Sequence, residues 1–583
     1  MSETVPSPSA QGDDEPLAWT SRLGAAISFA APFAVALGHV GTAPAWRDDL
    51  VLLRGMAWLL LGRTGNVSAL LTQAALFVPL GSVHFRLGVM AAAVLGAAGF
   101  VVYTLVRQIL VRLADAPPLL TDALATIAAL TATLSATGQR EGGAAGGSGV
   151  ALLLAMLVLG AQPAQALQQP RRAFGLGMLG GALLAESAVT GVALATATVL
   201  GLSAERQWPA QRAVSFALGG AAATAGFFSS PAIIRMFAST PFLDIGQAAG
   251  AMQAAAPAIR PFGGALVRLS TEGGILVPLG ALGLGLGLVK RELRGAVVPL
   301  IAMTALYGAS VFGEGRLFLA EDLAPLHGVA TASLATGAAL VVQALATALL
   351  AWQLPMAKGA AILLVMTDLT LAVATAEEAF FAYDRSAWRG ADVFTDEALE
   401  DLPPRSALLV RTRACAWRLW AAQLAHGSRP DVLIVPVAAT FHPRLALRLL
   451  RAEPALHKVL QDISLDGRPG EEALTLLASA RPVLVELDPA WDRRVFSHFV
   501  PDHLWLRFAP EPRGPSDRKA AFSDLHARAD RVLAASLYAS RSPRFGDLKS
   551  RCRDGREVNL RLCRTRLGQH RLLRHRLRMP RHS

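Results

Sequence analysis

Trp46-Arg47-Asp48-Asp49-Leu50 is the stretch with the most chemistry to offer in this 583-residue chain. Two adjacent carboxylates follow an apolar run of membrane length, Leu23–Val40. Ionisable groups at the edge of a membrane domain are costly to keep, which makes them functional candidates by default. A carboxylate there can take the proton of an attacking hydroxyl, or hold a divalent metal that activates a phosphate leaving group. The following Leu50–Leu61 is apolar with Arg54 and Trp58, which suits a helix lying in the interface. The alternative is that both acids solvate a loop and cap the helix after it, a position aspartate favours.

Further ionisable residues interrupt the apolar sequence. Glu186 sits inside the run Ala173–Leu202, where a carboxylate costs on the order of 3 kcal/mol at a helix centre. It can line a cavity or pair with a base; equally, it can lie at a helix break. Asp368 raises the same question, with Thr367 and Thr370 available to share its hydrogen bonds. The loop from Arg235 to Gly273 carries Asp244, Arg260, Arg268 and Glu272. Arginine suits a lipid phosphate through its bidentate fork, and a plain solvated loop is the other reading.

These groups need a scaffold, and composition defines its class. Hydrophobic residues make up 53% of the chain and are concentrated between Leu23 and Ala376. A membrane helix needs roughly 20 apolar residues. About eleven runs qualify as spans, among them the short Val67–Leu80 and the long Ala173–Leu202, which can hide a break. The expected fold class is therefore mainly α, with a polytopic helical membrane domain over 23–376 and a cytoplasmic tail over 1–22. The basic Lys290-Arg291-Glu292-Leu293-Arg294 connection should be cytoplasmic, and the acidic Gly313–Gly328 connection outside. Counting spans from there puts the N-terminus inside, with Asp48, Asp49 and everything after Ala376 outside. The same count leaves Arg107, Arg112 and Arg171-Arg172 on the less favoured side.

Residues 377–510 change character. Short apolar runs at Ser406–Arg411, Asp431–Pro436, Arg481–Leu487 and Leu504–Phe508 alternate with helical patterns. This predicts a smaller extracytoplasmic α/β domain with a mostly parallel sheet. Residues 511–583 read as a basic helix (Arg518–Tyr538) and an Arg-rich disordered tail. Thirteen Arg and one Lys against three acids after residue 540 hold most of the +12 formal charge. Such a tail is attracted to anionic surfaces, but no aromatic interleaving or recognition module accompanies it, which argues against nucleic acid as partner. Cys415, Cys552 and Cys563 have no metal-type spacing and read as ordinary thiols.

Two motifs carry a family resemblance. Phe77-Val78-Pro79-Leu80-Gly81-Ser82-Val83-His84-Phe85-Arg86, leading into a span that ends Tyr103-Thr104-Leu105-Val106-Arg107, is the first. The second is Leu402-Pro403-Pro404-Arg405-Ser406-Ala407-Leu408-Leu409-Val410 followed by Arg429-Pro430-Asp431-Val432. Together they resemble protein O-mannosyltransferase-like membrane proteins of the GT-C glycosyltransferase superfamily. That resemblance implies transfer of a mannose-like sugar from a polyprenyl-phosphate donor to a protein or glycan acceptor at the outer face of the membrane. It implies Asp48 or Asp49 as base or metal ligand, with Arg47, Arg54, Glu186 and Arg260 contacting substrate. No cofactor is implied beyond a possible divalent metal. The chain departs from the family at Leu60–Val67, which lacks the His and prolines, at Gln139-Arg140-Glu141, and at Glu186-Ser187. A non-catalytic envelope scaffold and a transporter are the rival classes; the sequence shows no internal repeat or paired broken helices of the kind transporters use.

Overall fold

The computed structural model describes residues 14–41, 48–49, 52–53, 67–113, 116–161, 169–204, 214–225, 264–310, 323–352, 355–383, 389–437, 440, 443–486 and 493–537. The chain is mainly helical, with one small sheet near its C-terminal end. The helical layer comprises α1 (Asp14–Gly38), α2 (Val67–Leu76), α3 (Val83–Leu113), α4 (Pro118–Thr133), α5 (Ala136–Gly142) and α6 (Gly149–Gly160). It continues with α7 (Pro170–Glu186), α8 (Ala188–Ala204), α9 (Val214–Ala225), α10 (Gly264–Gly273) and α11 (Leu276–Val289). The last three are α12 (Arg294–Ala309), α13 (Ala324–Ala351) and α14 (Pro355–Tyr383).

Four helices among the described residues are long and apolar enough to cross a membrane: Trp19–Gly38, Val83–Leu113, Ala324–Ala351 and Met356–Glu377. Two bent pairs, α4 with α5 and α10 with α11, raise this to six. The chain is thus a membrane protein in architecture, and the expected eleven spans are met only in part. Two runs show why. Val67–Leu80 forms only the ten-residue α2, about 15 Å long at 1.5 Å per residue. Ala173–Leu202 breaks at Ser187, whose backbone is extended (φ −144°, ψ 100°). The Ser187 hydroxyl bonds Thr190 and starts α8 afresh.

Side-chain contacts fix which helix ends lie together. Tyr103 Oη donates to Ser21 O (3.0 Å), and Arg107 pairs with Asp122 at 2.6 Å, which also accepts from Thr20. The start of α1, the end of α3 and the start of α4 therefore share one end of the layer. Gln343 on α13 donates to Leu110 O at the same end. Counting spans placed Arg107 opposite the N-terminus because Val67–Leu80 was taken as a crossing. In the fold the two are neighbours.

The bends of the layer have local causes. Between α4 and α5 the axis turns by 65°, where the Ser135 hydroxyl accepts the Gly138 N–H and caps α5. Between α10 and α11 it turns by 92° at Gly274, whose φ of +44° suits a residue without Cβ.

The α/β unit contains α15 (Gly390–Leu399), β1 (Ala407–Val410), α16 (Arg413–His426), β2 (Leu433–Pro436), α17 (Pro443–Ala452), α18 (Leu456–Asp466), α19 (Glu471–Ala480), β3 (Val483–Val485), β4 (Phe499–Asp502), β5 (Trp505–Phe508) and α20 (Pro515–Leu537). The sheet order is β2-β1-β3-β5-β4. β1 runs parallel to β2 and β3, but β5 is antiparallel to both β3 and β4. The mostly parallel expectation holds for one half of the sheet. In the other half, β4 and β5 form a hairpin turning at His503 (φ +57°). α20 packs on this unit, with Arg528 and Arg531 paired to Glu397 and Arg528 to Asp401. The domain thus extends past residue 510 to Leu537, while the Arg-rich tail lies outside the described residues.

The two resemblance-bearing pieces of this domain meet. Arg429 donates to the carbonyls of Leu399, Glu400, Leu402 and Pro403 and pairs with Asp431 at 2.8 Å. Asp431 in turn accepts the Arg405 N–H, and these bonds hold its carboxyl well below the usual range. The Leu-Pro-Pro-Arg and Arg-Pro-Asp motifs therefore form a clasp that closes the domain's edge.

Candidate functional site

The core of the α/β unit does not stop at its boundary. Its apolar cluster includes Leu52 and Leu53 of the first loop, Ala75 of α2, Leu87 of α3 and Ala145 of the Gly-rich turn. This continuity brings the first-loop acids against α16. Asp48 and Asp49 are both helical and buried.

Asp49 is fully buried, with Oδ1 3.3 Å from Arg418 Nη1. Arg418 also donates to Asp392 Oδ1 (2.9 Å) and to Thr395 Oγ1 (2.6 Å). One guanidinium thus ties the first loop to α15 and α16, a task its planar fork of donors suits. Asp49 Oδ2 has no hydrogen-bond partner among the described residues. Burial raises the Asp49 carboxyl to about 7, against the opposing pull of Arg418. Asp48 points elsewhere: its Oδ1 accepts the Gly146 N–H at 3.0 Å.

His84, on the first turn of α3, is buried, and neither ring nitrogen has a hydrogen-bond partner among the described residues. Its ring centroid is 5.9 Å from that of His426, at the end of α16. Burial and the nearby Arg418 lower the His426 pKa, which keeps that ring neutral at pH 7. Arg418, Ala422 and His426 are spaced by four, so they share one face of α16.

Beyond Asp48, a polar belt follows the Gly-rich turn. Ser148 N–H donates to Glu141, and Glu141 pairs with Arg140 at 3.0 Å. Glu272 accepts from the Thr137 N–H (3.0 Å) and hydroxyl, and lies 3.1 Å from His327 Nε2. One carboxylate therefore braces both bent helix pairs, α5 on one side and α10 on the other. The sequence did not reveal these two bends. Gln139 donates to Ala376 O of α14, and Tyr307 meets His327 edge-on at 4.9 Å.

The remaining sequence-derived residues divide clearly. Glu186 is not among the first-loop acids: at the end of α7 it accepts from the Ser68 N–H (3.0 Å) and hydroxyl at the start of α2. This is a carboxylate at a helix start, beside the break at Ser187, where the dipole favours it. Arg47, Arg54 and Arg260 lie outside the described residues. Arg418, His426 and His327 escaped the sequence reading. Arg418 and Asp49 are 369 residues apart, and no local pattern announces such a pair.

No family model matches the sequence, and no curated protein matches it.

The Asp49 environment gives a pH prediction with a definite sign. The folded state holds the proton more tightly than an unfolded chain, whose aspartate titrates near 3.8. Asp49 therefore contributes stability below about pH 4 that is lost as pH rises to about 7, and the contribution is flat above that. The full span corresponds to about 4 kcal/mol at about 1.4 kcal/mol per unit. His426 acts with the opposite sign, but is common to wild type and an Asp49→Asn variant. Wild type minus Asp49→Asn stability should thus fall between pH 4 and pH 7, measured by chemical unfolding with tryptophan fluorescence. A difference independent of pH would show that Asp49 does not carry this linkage.

Proposed function

We propose that this chain is a membrane glycosyltransferase of the GT-C type, moving a sugar from a polyprenyl-phosphate donor to a protein or glycan acceptor. The observation that supports the reading most is the seat of Asp48 and Asp49: first-loop acids held beside the C-terminal α/β unit at one end of an apolar helical layer. The resemblance in the Phe77–Arg86 and Leu402–Val432 motifs requires that neighbourhood, since the acids and the globular unit must face one compartment. Arg107, the Lys290–Arg294 connection and Lys358 belong to the opposite end, and a basic end is the cytoplasmic one by the positive-inside rule. In this reading the α/β unit is extracytoplasmic, at the inner or plasma membrane.

Within the pair the roles separate. Asp49 is committed to Arg418, so Asp48 is the acid assigned to take the acceptor's proton. A divalent metal held by both aspartates does not fit, because the Arg418 guanidinium already stands as the cation at Asp49. No step is routed through such an ion. Asp48→Asn should reduce transfer from a polyprenyl-phosphate hexose by roughly 100-fold or more while the protein still inserts and folds. Undiminished envelope glycosylation in cells carrying that variant would remove Asp48 from the mechanism.

A second reading is supported by the burial of Asp49. An acid used wholly for docking is what a non-catalytic scaffold would keep. Loss of an envelope partner with no change in sugar profile, on deleting the gene, would favour it.

A further inference from the structure

We propose that the seam between the first loop, α3 and α16 is a binding site for sugar hydroxyls, formed by Asp49, His84 and His426. The inference rests on the transferase reading and names the part of the substrate this seam receives. Three buried polar atoms there, Asp49 Oδ2, His84 Nδ1 and His84 Nε2, have no hydrogen-bond partner among the described residues. Such atoms are rare in folded proteins, and each costs about 1–3 kcal/mol to leave unmet. Here Arg418 and His426 share one face of α16; Asp49 lies 3.3 Å from the first, and His84 lies 5.9 Å, ring to ring, from the second. They come from separate parts of the chain, so docking of the α/β unit on the helical layer creates the arrangement.

Chemistry selects the ligand. A neutral imidazole offers one N–H donor and one lone pair, and the carboxylate oxygen offers a further acceptor. A hydroxyl both donates and accepts, so the hydroxyls of a hexose suit an imidazole nitrogen of either kind as well as the carboxylate oxygen. A phosphate is a poorer match: Arg418 is the cation of the seam, and its charge is already met by Asp49 and Asp392. A metal cation is poorer still, since the same guanidinium stands beside both rings. Among the described residues no group of three or more His, Cys, Asp or Glu has metal-binding geometry. His426 is exposed and marks the open side of the seam.

The test uses the full-length protein in lipid nanodiscs, with free D-mannose, D-glucose and D-galactose as probes in saturation-transfer NMR. Inositol serves as a non-pyranose control. At least one hexose should give a signal that falls more than five-fold in His84→Ala/His426→Ala. His84→Asn, which restores one donor and one acceptor, should recover part of it. All variants should remain folded and monodisperse, because Arg418 and its carboxylates are untouched. No hexose signal, or a signal indifferent to both histidines, would overturn the site. The transferase reading is tested separately, by the KM for a polyprenyl-phosphate hexose. Sugar binding through His84 without any transfer would keep this site and sink that reading. Transfer with KM unchanged in the double variant would keep the reading and sink the site.

Discussion

Replacing Arg418 with methionine should destabilise the docking of the α/β unit on the helical layer by about 3–5 kcal/mol at pH 8. The loss is not that of one ion pair in water. Asp49 is fully buried, and Arg418 is the only charged group within hydrogen-bond distance of it among the described residues. Removing the guanidinium strands that carboxylate and also frees Thr395 and Asp392 from a shared donor. The effect should shrink towards pH 5, since a stranded buried acid takes up a proton rather than remain charged. Arg418→Lys should recover little, because three donors on one nitrogen cannot span the separate partners that Nε, Nη1 and Nη2 reach. The informative companion is Arg418→Met with Asp49→Leu. An apolar pair of similar bulk should restore much of the stability, as buried ion pairs often allow. Limited proteolysis at the connection before Arg389 reads undocking directly, and a double-mutant cycle isolates the pairwise energy. Unchanged protease resistance in Arg418→Met at pH 8 would mean that the apolar cluster around Leu52, Leu53 and Leu87 holds the two parts together alone.

That experiment bears on how far the fold could be read from the chain. The first-loop acids stood out because charge in an apolar context is conspicuous wherever it occurs. Their partner did not, since Arg418 sits in a helix whose arginines at 413 and 418 look like ordinary polar positions. The strands at Ala407–Val410 and Leu433–Pro436 followed from apolar runs bounded by turns. The β4–β5 hairpin was missed because Phe499–Asp502 holds a proline and an aspartate, both poor in strands. The span count is met only in part, and two of the runs that fall short do so for related reasons. Hydropathy responds to composition, while Ser187 breaks its helix through one extended residue and α2 stops after three turns. Among the candidate site residues, Glu186 lies at a helix break and bonds the start of α2, which is the plainer of its two alternatives. His327 was passed over because a lone histidine in an apolar run has no spacing to mark it; only the bend at Gly274 brings Glu272 to its ring.

The seam that holds α11 against α13 supplies the second large effect. Gly283→Ala should prevent normal assembly of the helical layer, whereas Gly285→Ala, two residues away, should be neutral or slightly stabilising. A methyl at Gly283 would lie 1.7 Å from the Gly337 carbonyl oxygen, and one at Gly337 would lie 2.0 Å from Gly280 O. Backbones in contact at that range leave no side chain to move aside, so the helices themselves must separate by more than an ångström. Gly285 faces open space, with nothing within 4 Å of such a methyl. There, alanine only removes the helix penalty of glycine, worth up to about 1 kcal/mol. In lipid, where apolar faces gain little by meeting one another, close backbone approach is a principal source of helix association. A penalty on the order of 4 kcal/mol or more is therefore expected for Gly283→Ala, seen as loss of the monodisperse protein and a collapse in thermal stability. The damage should also travel. α13 begins beside His327 and α11 begins at the bend that seats Glu272, so parting this seam pulls the carboxylate from the imidazole and from Thr137. Thiol accessibility of a cysteine placed at Thr137 should then rise in Gly283→Ala and not in Gly285→Ala. Equal behaviour of the two variants would mean that α11 and α13 do not pack through this glycine face.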